Sequence, residues 1–525
     1  MTPACIKLVS EYNQLVSASN ESAPLNPRPR GTTDDPQSIA GELSMADTGP
    51  QRPTDRHWWP AVAGLTALWW MQWFIAHSQG LQFFAPVAKT WQLLDTEWLR
   101  TDPWSSLWHL HAQPPLLNAS VAVLLALGLD PAGPAVHAGF EVLSLLTVMA
   151  TWRLSVVLGA RPWLAFAAAA LLLASPGYLL IAHWFFYDLP VTGLLVGVAL
   201  SAQRSIGGSR RWLVALVVQL ALLGWLRSLF HPLWTLVLAV LAWRQLGLPL
   251  RVRHQLTIGL LTATALISVP YAKNALVFGT FQASSWGGMS LLRTANAHIP
   301  AAQRQALADQ GLVSAASVRG PFRPLVDYGM APGVAAPDRP TQVGSALTAA
   351  NKTDGQPNFN HFAYLDLSRL MMRDAVSLFA HHPSALLRSQ LGAWLAWLRP
   401  VGGYPFLAPA RQPIENWQSL WSRWVLVESD GAPVALALGT AAALAVLLAR
   451  LWALRRPATD PVERWLLWVI AWTVLWVAVV GNTMEYGENY RFRAYVDPLL
   501  LAVLAAAVGR WSAPIGQASS GEIAK

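Results

Sequence analysis

Runs of apolar residues too long for a water-soluble core constrain this chain more than any other feature. They lie at about 60–79, 135–157, 162–181, 188–203, 211–229, 232–249, 256–273, 431–452, 463–481 and 494–511. Each is long enough, or nearly so, to cross roughly 30 Å of hydrocarbon. Inside lipid every backbone N–H and C=O must be satisfied within the segment, so such runs form helices. The predicted fold is an all-α integral membrane protein of about ten transmembrane helices, within a range of ten to thirteen, with amphipathic juxtamembrane helices; two weaker apolar segments lie at 114–130 and 384–398. Only 12% of the 525 residues are charged, about half the usual share in a soluble domain. The 28 tryptophans suit a protein whose surface crosses two membrane interfaces.

Short loops rich in arginine orient the spans. Arg153 with Arg161, then Arg204, Arg210 and Arg211, then Arg244, Arg251 and Arg253, then Arg450, Arg455, Arg456 and Arg464, and finally Arg510 belong on the cytoplasmic side. The formal charge of +9 is thereby assigned to topology and anionic headgroups rather than to nucleic acid. With Gly80 outside and Arg161 inside, an odd number of crossings lies between them. Segment 114–130 is short and opens on Pro114 and Pro115, so it is expected to be a half-membrane or interfacial helix, with 135–157 as the span. Ten crossings place both termini in the cytoplasm.

The expected organisation is then a disordered cytoplasmic tail (1–56), a transmembrane module (57–273) whose first external loop is 80–134, an extracytoplasmic region of loops and a few helices such as 363–380 (274–430), a second transmembrane module (431–511) and a cytoplasmic tail (512–525). Met45 precedes a sequence that reads as an ordinary short leader before a first span, so it is an alternative start. Cys5 is the chain's one cysteine, which excludes an intrachain disulfide and a multi-cysteine zinc site.

Nearly every unusual polar residue falls in an outward segment. The stretch LDTEWLRTDPWSSLWHLHAQPPLLN (94–118) gathers acids, histidines and an amide. Phe84, Val87, Trp91, Leu94 and Trp98 recur at spacings of three and four, which predicts a helix lying on the membrane with one apolar stripe. Asp102 before Pro103 fits a helix cap with proline at the first helical position. It equally fits a general base or a metal ligand, with Asp95 as its competitor. His111 and Gln113 are candidates to bind phosphate or sugar hydroxyls. Asp188, before Pro190, is a second metal-ligand or cap candidate.

Outward cations need a partner or a purpose. Arg491 and Arg493 have Glu485, Glu488 and Asp497 near in sequence, which suits a local ion-pair network; a guanidinium fork also matches phosphate oxygens. Arg227, His231 and Lys273 extend that second reading to a basic pocket for a diphosphate or phosphodiester. There is no Gly-rich phosphate loop, no GxGxxG and no HExxH, so no nucleotide cofactor is expected and any bond-making draws on an already activated substrate.

Several spans, an acidic first external loop and a Pro-Pro-Leu entry to the next apolar segment (Pro114 to Leu116) together resemble the C superfamily of integral-membrane glycosyltransferases, which includes the protein O-mannosyltransferases and the bacterial lipid A aminoarabinose transferases. AHWFFYDLP (182–190) resembles their second acidic turn, and Gln113 stands where their Lys-Pro-Pro motif has lysine. KNALVFGTFQASSWGGMSLLR (273–293) and ENYRFRAYVDP (488–498) are similar to segments of bacterial members, and the likeness covers most of 60–511. It implies inverting transfer of a sugar from a polyprenyl-phosphate carrier to a glycan, lipid or protein acceptor outside the inner membrane, with a divalent cation, Mg or Mn, as an allowed cofactor held by Asp102 and Asp188. Family members carry their catalytic acid close after the first span. This chain reads AHSQGLQFF there and has no acid before Asp95, so either Asp95 or Asp102 takes the role or that chemistry is lost. The alternatives are a transporter or flippase for a lipid-linked or anionic solute, and a non-catalytic scaffold of the same fold.

Overall fold

The last helix organises the bundle. The computed structural model describes residues 58–245, 247–329, 344–429, 432–453 and 460–511. Both expected tails, Cys5, Met45, Arg455 and Arg456 lie outside these residues, as does the side chain of Arg510. In chain order the principal helices are α1 (Trp58–Ser78), α2 (Thr96–Thr101), α3 (Pro103–Trp108), α4 (Leu116–Ala126), α5 (Pro134–Val157), α6 (Pro162–Ala174), α7 (Pro176–Ala182), α8 (Asp188–Ser205) and α9 (Arg210–Leu226). There follow α10 (Pro232–Trp243), α11 (Leu250–Phe278), α12 (Gly287–Asn296), α13 (Ala363–His381), α14 (Pro383–Trp397), α15 (Glu415–Trp424), α16 (Val434–Ala453), α17 (Pro461–Met484) and α18 (Asn489–Trp511). Proline opens many of them, at the position where its missing N–H costs nothing. Strand structure in the described residues is a two-residue ladder of Glu428–Ser429 with Ala432–Pro433 and two isolated bridges. Helix α18 packs against α5, α6, α8, α14, α16 and α17.

Among the described residues five helices are long and apolar enough to cross a membrane: α5, α11, α16, α17 and α18 as far as Gly509. The pair α6 and α7, bent by 66° at Ser175, makes a sixth if it is one broken span. Five or six of the ten expected crossings thus meet this measure of length and composition among the described residues. Helix α10 stops at Trp243, six residues before the predicted end of its span. Its 12 residues reach about 18 Å, well short of the hydrocarbon thickness. Helix α8 begins on Asp188 and ends beside Arg204, and α1 carries Gln72 and five tryptophans. Segment 114–130 contributes only the 11 residues of α4, about 16 Å, the half-membrane length expected of it.

The predicted surface helix over 84–98 does not form. Phe84 pairs instead with the turn after α7, accepting from Phe185 N at 2.9 Å and donating to His183 O at 2.7 Å. Pro86 follows, tight turns occupy 87–93, and Asn118 Oδ1 accepts from Leu94 N at 2.7 Å. A three-four apolar spacing is satisfied here by irregular chain held at both ends. Amphipathic helices do occur further on: α12, α13 and α15, the last with Leu420 and Trp424 exposed.

Helices α12 and α13 cross at their closest where Gly288 meets Ser368. Gly288 N accepts no substitute for this approach: it donates to Ser368 Oγ at 3.1 Å, and a Cβ on residue 288 would lie 1.8 Å from Ser368 O, a backbone atom that cannot step aside. Gly288→Ala should therefore cost about 3 kcal/mol or more of stability through overpacking, read as a lowered melting temperature of the detergent-purified protein. An unchanged melting temperature would show that the crossing tolerates a wider spacing.

Candidate functional site

A cavity of about 470 Å³ opens where the turns α9–α10 and α17–α18 meet segments 91–92, 113 and 281–293. The turn between α17 and α18 reverses the chain in four residues, helped by Gly487 at φ 96, a conformation that favours glycine. It brings Glu485 and Glu488 to the wall. The α9–α10 turn brings Arg227 and His231, and α12 brings Arg293.

Behind the wall lies a buried ion pair. Arg491 and Asp188 are each 1% exposed, and the guanidinium grips the carboxylate with two prongs, Nε to Oδ2 at 3.0 Å and Nη2 to Oδ1 at 3.1 Å. Its third nitrogen donates to Glu488 at 2.6 Å. Tyr495 donates to Asp188 as well. The rings of Trp184, Phe186, Tyr187 and Tyr404 lie 4.6–5.5 Å from the guanidinium carbon, a geometry that returns part of the desolvation cost as cation–π attraction. Arg491 is thus committed inside the protein, to an acid 303 residues away rather than to its near neighbours alone.

Arg293 is shared between Glu485, which it contacts directly, and Glu488 at 3.6 Å. Burial pushes Glu485 upward; Arg293 opposes this and the charge of Glu488 adds to it, leaving Glu485 above its ordinary value. Burial acts on Glu488 in the same sense but is outweighed by Arg491, Arg293 and Arg227, which hold it below. The pair is therefore split, one carboxylate firmly ionised and the other more easily protonated.

Arg227 is different from both other arginines. It is 8% exposed, donates to the Tyr187 hydroxyl, and lies over Phe492 at 4.6 Å and Tyr187 at 4.8 Å. Among the described residues no carboxylate comes within 4 Å of its guanidinium. His231 caps α10, accepting from Leu233 N through Nδ1 at 3.1 Å, and burial lowers its proton affinity.

The loop acids stand elsewhere. Asp95 is 4% exposed and latches two loop segments: it accepts from Glu97 N at 2.7 Å, and from Thr353 N and Oγ1 at 2.5 and 2.7 Å. Burial opposes its ionisation, but these bonds prevail and hold its carboxyl below the ordinary range. Asp102 is exposed and caps α3, accepting from Ser105 N at 3.1 Å. Neither lines the cavity. Asp102 and Asp188 share no partner, so the expected two-acid metal site is not assembled, and no step is derived through Mg or Mn. His111 lies behind the wall with Nδ1 2.8 Å from Ser285 Oγ, Gln113 reaches the cavity, and Lys273 donates to Leu110 O. Arg493 contacts Asp497 and Thr440 and lines a separate, mostly apolar cavity of about 210 Å³.

Two contributors went unforeseen. Arg293 and Glu485 face each other across 192 residues, and nothing in their local sequences marks them as partners. Asn360 holds the 109–112 turn, accepting from His111 N and Ala112 N at 2.8 and 3.0 Å and donating to His109 O at 3.1 Å.

These roles separate the two loop acids experimentally. Asp95→Asn places amide hydrogens against the Thr353 donors and should cost about 1–3 kcal/mol, whereas Asp102→Asn keeps a capping oxygen and should stay within about 0.5 kcal/mol of the parent. Thermal unfolding of the two purified variants checks the order; equal melting temperatures would remove the latch.

Comparison with protein-family models, with curated proteins and with solved structures finds no match to this chain, so the reading of the cavity rests on its own geometry.

Proposed function

We propose that the chain is a membrane glycosyltransferase, moving a sugar from a polyprenyl-phosphate-linked donor to a hydroxyl of an extracytoplasmic glycan, lipid or protein. The observation that carries this is Arg227: a buried guanidinium on the cavity wall, without a carboxylate partner among the described residues, beside two carboxylates of unequal basicity. A buried guanidinium with no carboxylate in direct contact keeps donor nitrogens available, and an anionic ligand in the cavity suits them. Phosphate suits the planar donor fork. An apolar bundle around the cavity suits a lipid-borne phosphate.

In this reading Arg227, with His231 and Arg293, holds the donor phosphate, and Gln113 and the half-exposed ring of Trp91 contact the sugar. Glu485 replaces Asp102 and Asp95 as the general base. The acceptor oxygen attacks the anomeric carbon, its proton passes to Glu485, and the bond to the phosphate oxygen breaks with the electron pair leaving on the polyprenyl phosphate beside Arg227. Inversion at the anomeric carbon follows from a single displacement. The finer topology belongs to the same proposal: about ten crossings in the inner membrane, both termini cytoplasmic, the cavity outside.

Glu485→Gln should lower the rate of sugar transfer by roughly two to four powers of ten, and Arg227→Lys by about tenfold or more, since lysine keeps the charge but loses the two-pronged contact. Transfer is measured with purified protein and radiolabelled polyprenyl-phosphate sugars. Glu485 above its ordinary value predicts an acid limb in the pH–rate profile, activity falling as the base is protonated. Glu488→Gln removes a neighbouring negative charge, makes Glu485 easier to ionise and should move that limb to lower pH. Retained transfer in Glu485→Gln would exclude it as the base. Bound donor that is translocated but never cleaved would favour a flippase.

Sidedness is checked separately. In a Cys5→Ser background, Ser105→Cys and Ala302→Cys should react with an impermeant thiol reagent in intact cells, and Ser209→Cys should not. The reverse pattern would put the cavity in the cytoplasm.

A further inference from the structure

A second cluster lies apart from the cavity, where the start of α5 meets the turn between α7 and α8. His137 and Glu141, four residues apart on α5, share one helix face. His183 joins them from the turn. Glu141 Oε1 is 3.3 Å from His137 Nε2 and 3.2 Å from His183 Nε2, and the three donor atoms lie within 4.8 Å of one another. The side chains of His183 and Glu141 are 3% and 9% exposed. Among the described residues Glu141 has no Lys or Arg partner, so its charge is left to the two imidazoles.

The geometry at His183 sets an oxygen against each ring nitrogen. Nδ1 lies 3.1 Å from Leu179 O and Nε2 lies 3.2 Å from Glu141 Oε1. Both neighbours are acceptors. A neutral imidazole has one proton, so in either tautomer a lone pair would face an oxygen in a nearly dry site. A proton on each nitrogen resolves this, a protonated Glu141 donating to Nε2 resolves it too, and so does a metal ion between Nε2 and Oε1 with Nδ1–H donating to Leu179 O. A histidine that donates through its second nitrogen to a backbone carbonyl is also how proteins orient a metal ligand.

We propose that His137, Glu141 and His183 bind a zinc ion through His137 Nε2, His183 Nε2 and a Glu141 oxygen. Two imidazoles and one carboxylate suit zinc rather than Mg or Ca, which take oxygen ligands. Bonds of about 2.0–2.1 Å in a tetrahedron place neighbouring donors about 3.3 Å apart, and two of the three edges already have that length. The third closes by rotation of His137, the most exposed of the three at 23%. The fourth position is left to water. Phe83 stacks on His137 at 4.8 Å. The ion ties α5 to AHWFFYDLP, the turn whose Trp184, Phe186 and Tyr187 surround Arg491, so it positions that wall without touching the cavity. This assignment is independent of the glycosyltransferase reading.

The test uses the full chain in detergent, purified through a tag without histidines. Elemental analysis should find about one zinc per chain, reduced to below roughly a tenth of that in Glu141→Gln and in His183→Ala, and unchanged in His254→Ala, whose ring stacks on Trp243 at 5.2 Å away from the cluster. Should the cluster variants fail to fold, the parent decides: after chelation it should take up one equivalent of Co²⁺ with a visible ligand-field band, and Zn²⁺ should displace it and restore the melting temperature. A parent that holds no zinc and takes up neither ion, or metal content equal in the parent and in folded Glu141→Gln, overturns the site and leaves a doubly protonated His183 or a protonated Glu141 as the explanation of the geometry.

Discussion

The pairing of Arg491 with Asp188 is the interaction on which the cavity depends. Removing two charges from water costs several kcal/mol each, roughly, and only close geometry with further hydrogen bonds offsets that. Here two prongs meet one carboxylate, a third nitrogen meets Glu488, and aromatic rings cover the rest. The pair joins the turn after the broken α6–α7 segment to the first turn of the central helix α18. Once Arg491 has taken Asp188 and one oxygen of Glu488, Arg293 is drawn to Glu485. The inequality between the two glutamates follows from that order of commitment.

The loop segments are fastened by a second device, side chains bonded to irregular backbone. Asn358 Nδ2 donates to Ala346 O and Ala349 O at 3.0 and 2.8 Å, and Asn360 ties Ala346 to the 109–112 turn. Asp95 and Lys352 do the same for 88–97, the lysine donating to Ala88 O and Thr90 O at 3.3 and 3.1 Å. An Asn side chain offers both donor and acceptor to irregular backbone, which is what a turn lacking ladder partners needs. The loop therefore carries its acids as fasteners, and the cavity takes its acids from the α17–α18 turn.

Helical class, apolar packing and the gathering of polar residues at one end were legible in the sequence, because runs such as 463–481 leave the chain no other solution. Helix ends were less so. Hydropathy continues past Trp243 through Leu248 and Leu250, but the chain turns at Arg244 and leaves α10 short. The stripe from Phe84 to Trp98 had the helical spacing and lost to a long-range bridge with His183 and Phe185 that periodicity cannot register. Among site residues, Arg227, His231, Gln113 and Glu488 were named and reach the cavity. Asp95 and Asp102 were named because they are acids in a loop; their hydrogen bonds, one to Thr353 across 258 residues, are what distinguishes a fastener from a base. Arg293 could be found only by folding the chain.

Helix length explains why a cavity exists at this place at all. Helix α10 at about 18 Å, α4 at about 16 Å and the bend between α6 and α7 each stop short of the span of α17 or α18. Short helices end while their long neighbours continue, and the polar groups at their ends then need partners within the protein. Non-helical backbone at membrane depth is tolerated where it lines a cavity or is covered by protein. The α9–α10 turn does the first, exposing Arg227 and His231 to the cavity; the α7–α8 turn does the second, wrapping Arg491. A polar pocket beside apolar helices is thus the direct result of interrupting helices, and the residues at the interruptions, rather than the acids of the 94–118 loop, are the ones that line it.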